Sequence, residues 1–186
     1  MKKEIESEYE PRKMGYKLIT WAFDPLKKCN AYLNVSKLHE IVDTYIENCY
    51  GETKFGLNTG LLTERLQIEW WITSKRLEEK WMPDINTTFE QPFQITISEH
   101  NLPVLVEPYL FKPTEEGYEV PIPQLIQEMN NTDPHLALKW RLQIRKIMQT
   151  LFSEEYALLA LRKTNEPVNY YQFVKKITIP LQSKGK

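Results

Sequence analysis

The sequence predicts a mixed α/β domain with a mostly antiparallel sheet and packed helices, and three stretches carry that prediction. Residues 16–23, YKLITWAF, are β-branched, aromatic or otherwise apolar at nearly every position and stop at Asp24-Pro25, as a strand must where proline cannot continue the ladder. Residues 63–73 alternate, with Leu66, Ile68, Trp70 and Ile72 pointing one way and Arg65, Gln67, Glu69 and Trp71 the other. Asp133-Pro134 is a cap followed by proline at the first helical position, and Leu136, Trp140, Ile144, Ile147, Met148 and Leu151 then recur at the helical period. A chain of 186 residues is long enough for one domain over 1–186, and two would each be small.

The remaining elements follow in chain order. Residues 1–14 mix both charges and contain Pro11, which predicts the frayed end of a helix closed before Gly15. The strand over 16–23 lacks polar alternation and is expected to be covered on both faces. Asn34 is expected to cap a helix whose apolar face carries Leu38, Ile41, Val42, Tyr45, Ile46 and Cys49, with Gly51 as its stop. Residues 51–62 hold three glycines and Asn58 and read as an ordered loop over the sheet edge, a place where loops often touch ligand. Residues 75–123 are punctuated by proline, with short apolar pieces at 93–97, 103–106 and 118–122 that suit edge strands and loops. On the later helix Arg141 and Arg145 lie one turn apart and flank its apolar face. Residues 156–161 and 169–179, joined through Asn165 and Pro167, read as a hairpin, and the tail after Pro180 should be loose.

Charge and composition narrow the partners. Lys and Arg number 24 against 25 acids, so the chain has no basic field for nucleic acid or for an anionic membrane surface. The two cysteines, Cys29 and Cys49, have neither CxxC spacing nor the count of a disulfide scaffold; ordinary half-buried thiols in a reducing cytoplasm fit them best. The N-terminal segment has no apolar core of the signal-peptide kind, which also points to the cytoplasm.

The phrases ITWAFDPL, NAYLNVSKL, TERLQIEWWITSKR, DPHLALKWRLQIRKIM and NYYQF, in that order, resemble a branch of the GNAT superfamily of acyl-CoA N-acyltransferases. In that branch the matching phrases read roughly WTFDPL, NAxxNxxKLG, LPTDRLxxEWxL, DPxLAxxWRxxxR and yYvL. His39 stands where the branch usually has Gly, Glu64 where it has Asp, and Glu155-Tyr156 where it has Gly-Tyr. The resemblance implies a partial GNAT-like fold, with a strand–helix–strand core over 15–76 and an extension over 77–186 that adds the helix and the hairpin. The family binds the acyl-CoA pyrophosphate in a [RQ]xxGx[GA] loop that opens a helix, and no such loop occurs in the sequence. The N-terminal strands and the CoA loop are therefore expected to be missing. The chain would be the C-terminal part of a longer enzyme, binding CoA weakly or not at all when alone. A homodimer or a complementing N-terminal half would then cover the open edge of the first strand.

Acyl transfer from a thioester to an amine needs a base for the ammonium proton, a donor for the leaving thiol and an acceptor pocket. Glu69 is the candidate base, with Trp70 and Trp71 placed to desolvate it; a salt bridge to Arg65 on the same strand face is the ordinary alternative. Arg65, Arg76, Arg141 and Arg145 are candidates for gripping a carboxylate through the guanidinium fork. For Arg141 and Arg145 a solvated helix face is the alternative that numbers favour. Asp24 lies at the carboxyl end of a strand, where open α/β sheets place ligands, although Asp-Pro is also a common exit from a strand and that reading is the stronger one. By resemblance Asn30 and Asn34 lie near CoA, with helix capping the simpler role for Asn34. Tyr45 or Tyr50 is a candidate for the leaving-group acid. His39, His100 and His135 show no metal-ligand spacing and read as surface residues. The implied co-substrate is acetyl-CoA or another acyl-CoA such as succinyl-CoA, with no metal, and the implied acceptor is a small amine or amino acid. The alternative from a different class is a non-catalytic ligand-binding or interaction remnant of such a protein.

Overall fold

A computed structural model describes residues 11, 13–27, 32–37, 39–49, 63–82 and 89–181. At its start the Tyr16 N–H donates to Pro11 O (3.1 Å) while Gly15 takes φ +82°. A six-residue closing bond around a left-handed glycine is how many helices end, so the expected stop before Gly15 is found.

The main sheet contains β1 (Ile19–Phe23), β2 (Ile41–Ile46), β3 (Arg65–Trp70), β6 (Gly117–Pro123), β7 (Tyr156–Arg162) and β8 (Val168–Lys175). Their order is β1-β3-β2-β7-β8-β6, and every pairing is antiparallel. β3 lies between β1 and β2, with Glu69 opposite Thr20 on one side and Ile41 on the other. The alternation read in residues 63–73 is realised, since Leu66, Ile68 and Trp70 are buried while Arg65, Gln67 and Glu69 are half-buried.

Two layers enclose the sheet. On one face lies α3 (Pro134–Ser153), opened by the expected cap, in which Asp133 Oδ1 accepts the Leu136 N–H at 2.9 Å. Its Trp140, Ile144, Ile147, Met148 and Leu151 pack with Val42, Leu66, Ile68, Leu158, Tyr171 and Phe173. On the other face Ile41, Ala157, Leu159 and Val174 meet Trp71, Trp81, Phe89, Ile179 and Leu181. The hairpin of β4 (Gln94–Ile97) and β5 (Pro103–Val106) stands apart as a two-stranded sheet. α3 holds it by side chains that satisfy strand carbonyls: Trp140 Nε1 donates to Pro103 O (2.8 Å) and Gln143 Nε2 to Leu105 O (3.2 Å). The short helices α1 (Lys75–Glu78) and α2 (Ile126–Thr132) complete the described elements, together with a π-helical turn, Tyr32–Lys37, and a 3-10 turn, Lys176–Thr178.

Two expectations are corrected. The helix predicted to follow Asn34 does not form, because Tyr32–Lys37 is a π-helical turn and Ile41–Ile46 is the strand β2. Ile41, Val42, Thr44 and Ile46 are β-branched and lose less side-chain freedom in a strand than in a helix. Their neighbours then lie on opposite faces, Ile41 in the second layer and Val42 beneath α3, where a helix would have set both on one stripe. Asn34 is a buried residue within the turn and not a helix cap. The first strand is not covered on both faces either: Thr20 and Ala22 are exposed, because the second layer packs on β2, β7 and β8 and not on β1. The doubly covered strand is β7, buried from Tyr156 through Leu161. The loop predicted over 51–62, with the Gly51 stop, and the tail beyond Leu181 lie outside the described residues.

Candidate functional site

Where β1 ends, the chain turns back through Asp24: its Oδ1 accepts the Leu26 N–H (2.9 Å) and its carbonyl accepts the Lys27 N–H (3.1 Å). The carboxylate meets Arg141 of α3, whose Nη1 and Nη2 reach Oδ1 and Oδ2 at 3.2 and 3.3 Å, a forked pair that gives direction as well as charge. Arg65, the first residue of β3, brings Nη1 to 4.0 Å from Asp24 Oδ2 and donates to Glu64 O at 2.7 Å. One helical turn further along α3, Arg145 binds Glu64 through Nη2 and Glu47 Oε2 through Nη1 (2.9 Å). Gln149 Nε2 donates to Glu47 Oε1 (2.7 Å). Three carboxylates, Asp24, Glu47 and Glu64, thus face three guanidiniums, Arg65, Arg141 and Arg145.

The depth of this network decides its character. Asp24, Glu64 and Arg141 are 5, 0 and 2% exposed, so the charges are sustained by one another and not by water. Burial opposes the charge on Arg145, but the bonds and charges of Glu64 and Glu47 outweigh it and hold that guanidinium above its ordinary range. Tyr45 lies among Glu64, Arg141 and Arg145; burial, with the Glu64 charge adding to it, pushes its phenol well up, so it stays a protonated donor. Arg141 Nε and Arg145 Nε are buried here with no hydrogen-bond partner.

A second buried polar group lies at the start of β2. Arg76, 1% exposed, donates from Nε to His39 O (3.0 Å), from Nη1 to Trp81 O (3.1 Å) and from Nη2 to Glu40 O (3.4 Å), with its guanidinium 5.5 Å from the Trp81 ring centroid. Burial pulls its pKa down to about 10. The Glu40 carboxyl is fully buried, both oxygens lack a partner, and burial pushes its pKa up to about 9. His39 is held in the left-handed region at φ 54°, and burial, with Arg76 and Lys80 nearby, lowers its pKa.

Of the candidates read from the sequence, Asp24, Arg65, Arg141 and Arg145 come together. The favoured alternative for Arg141, a solvated helix face, is overturned by its burial against Asp24. Glu69 lies four residues beyond Arg65 on β3, roughly 13 Å along an extended strand. Its Oε2 accepts from Trp71 Nε1 (2.8 Å), whereas Arg65 turns to Asp24. Arg76 belongs to the second group, where backbone carbonyls occupy it. Asn34 is buried in the π-helical turn, and Asn30, Tyr50 and Cys29 lie outside the described residues. Cys49 is exposed rather than half-buried, and His39 is half-buried while His100 and His135 are exposed. Sequence reasoning missed Glu40, Glu47 and Glu64 as members of these groups. Nothing in a lone Glu beside an apolar run distinguishes a buried acid from a surface one.

Among the described residues no group of three or more His, Cys, Asp or Glu is placed to hold a metal ion, and no helix is long and apolar enough to cross a membrane. Comparison of the chain with protein-family models, with curated proteins and with solved structures found no match in any of the three.

Proposed function

We propose that this chain is a GNAT-like N-acyltransferase unit that moves an acetyl or succinyl group from acyl-CoA to a small amine such as an amino acid. One observation supports the reading above the others. Phrases that carry the resemblance are far apart in sequence, yet Asp24 of WAFDPL, Glu64 and Arg65 of TERLQIEW, and Arg141 and Arg145 of WRLQIRK meet in one buried network. In this reading the amine nitrogen attacks the thioester carbonyl, the C–N bond forms as the C–S bond breaks, Glu69 takes the ammonium proton, and the thiolate takes one from solvent. A second chain, either another copy or a complementing segment, lies along β1.

The test is amine-dependent release of free thiol from acetyl-CoA and succinyl-CoA with a panel of amino acids, comparing the wild type with Glu69→Gln. The reading expects release that falls on the order of 100-fold in the variant, the usual weight of a general base. Release that the variant leaves unchanged removes Glu69 from the mechanism. A second reading, a non-catalytic ligand-binding or interaction remnant, is favoured by the way Asp24, Glu64 and Glu47 already occupy the forks of Arg141 and Arg145. It expects no thiol release from a folded chain.

A further inference from the structure

A groove of about 590 Å³ opens where the β4–β5 turn, the start of α2 and the β7–β8 turn converge. That volume suits a small organic ligand. The frame is fixed: Gln124 Nε2 donates to Thr164 O (3.1 Å) and Glu166 O (2.6 Å), and the Gln124 N–H donates to Pro167 O (3.0 Å), so the hairpin turn is tied to α2. The walls are apolar, with Leu102, Leu125 and Met129 among them, and Leu125 is half exposed at the rim.

The charge of the lining is one-sided. The Pro103 and Pro167 carbonyls are already taken by Trp140 and Gln124, and Asn101 and Asn165 bring amides that both donate and accept. Glu128 and Glu166 supply two carboxylates, whereas no Lys, Arg or His lines the groove among the described residues. Glu128 stands in the first turn of α2 and offsets the positive end of that short helix. Arg162, which lies within electrostatic reach of Glu166, is held by Glu119 and by the Tyr170 ring, 4.5 Å from its guanidinium. A cation with an apolar body suits both the apolar walls and the two carboxylates of this lining; an anion with the same body suits the walls alone.

We infer that this groove, distinct from the Asp24–Arg141 network, is a binding site for an apolar organic cation, an amine with an aromatic or aliphatic body. The inference does not depend on the acyltransfer reading. The test is a titration of the ¹⁵N-labelled full chain with 2-phenylethylamine, its uncharged counterpart 2-phenylethanol and the anion 3-phenylpropionate, followed by amide shifts. The expected result is saturable shifts centred on Asn101, Leu125 and Asn165, with the amine about two- to fivefold tighter than the alcohol, as a rim ion pair allows. Glu128→Gln with Glu166→Gln should abolish that preference and leave the alcohol unchanged; both side chains are exposed, so the fold survives the change. Equal binding of amine and alcohol, tighter binding of the anion, shifts centred elsewhere, or no shift with probe at about 10 mM would each overturn the inference.

Discussion

Replacing Glu40 by Gln should make the protein more stable, and increasingly so as the pH rises. The Glu40 carboxyl is fully buried, neither oxygen has a hydrogen-bond partner, and burial pushes its pKa up to about 9 from an ordinary 4.5. The folded state therefore keeps a proton that the unfolded chain releases between those two values, and in that window stability falls as pH rises. The cost is about 1.4 kcal/mol per pH unit, so ionising Glu40 in the unfolded chain alone takes about 3 kcal/mol from the folded state at pH 7. Below pH 4.5 the acid is neutral in both states and the cost vanishes. Glutamine does not titrate. Urea unfolding followed by tryptophan fluorescence, run on both proteins at pH 5 and pH 8, isolates this residue because groups common to both proteins cancel in the difference. The advantage of Glu40→Gln should grow by about 4 kcal/mol across those three units. An advantage that stays constant within 1 kcal/mol would refute the claim that Glu40 is buried as a neutral acid.

The Asp24–Arg141 pair should behave as a buried ion pair. Asp24→Asn strands the Arg141 charge and should cost about 3–5 kcal/mol in urea unfolding, whereas Asp24→Asn with Arg141→Met should recover most of that loss. Trp140→Phe removes the bond to Pro103 O and should cost about 1–2 kcal/mol, with amide exchange accelerating in β4 and β5 before the main sheet. Gly117→Ala should destabilise by about 1–3 kcal/mol in thermal unfolding, because the new Cβ would meet Phe89 Cδ1 at 2.8 Å and the Phe173 carbonyl at 3.0 Å.

What the sequence made legible is what local chemistry determines. Asp133-Pro134 announces α3 because cap and proline act within one turn, and the alternation of Leu66, Ile68 and Trp70 announces β3 because the strand buries one face only. The β7–β8 hairpin follows from apolar runs around Asn165 and Pro167. β2 was hidden because Ile41, Val42, Tyr45 and Ile46 fit a helical stripe as well as a strand, and six residues are too few to separate the two periods. Which strand is covered on both faces depends on the second layer of Trp71, Trp81, Phe89 and Ile179, and no feature of residues 16–23 reveals that this layer lies over β7 and not over β1. The candidate site was half legible. Arginines one turn apart on α3 and an Asp at a strand end were identifiable types, but Asp24 and Arg141 are 117 residues apart and only the packing of α3 on the sheet pairs them.

The acyltransfer reading stands or falls on acyl-CoA itself, so the most direct measurement is a calorimetric titration of the chain with acetyl-CoA and succinyl-CoA. The account predicts saturable binding, weak if the chain is alone, with a Kd up to about 1 mM, and unchanged by Glu69→Gln because that residue is assigned to proton transfer. No heat of binding from a demonstrably folded chain at several times that concentration would contradict it and leave the interaction remnant as the function to pursue.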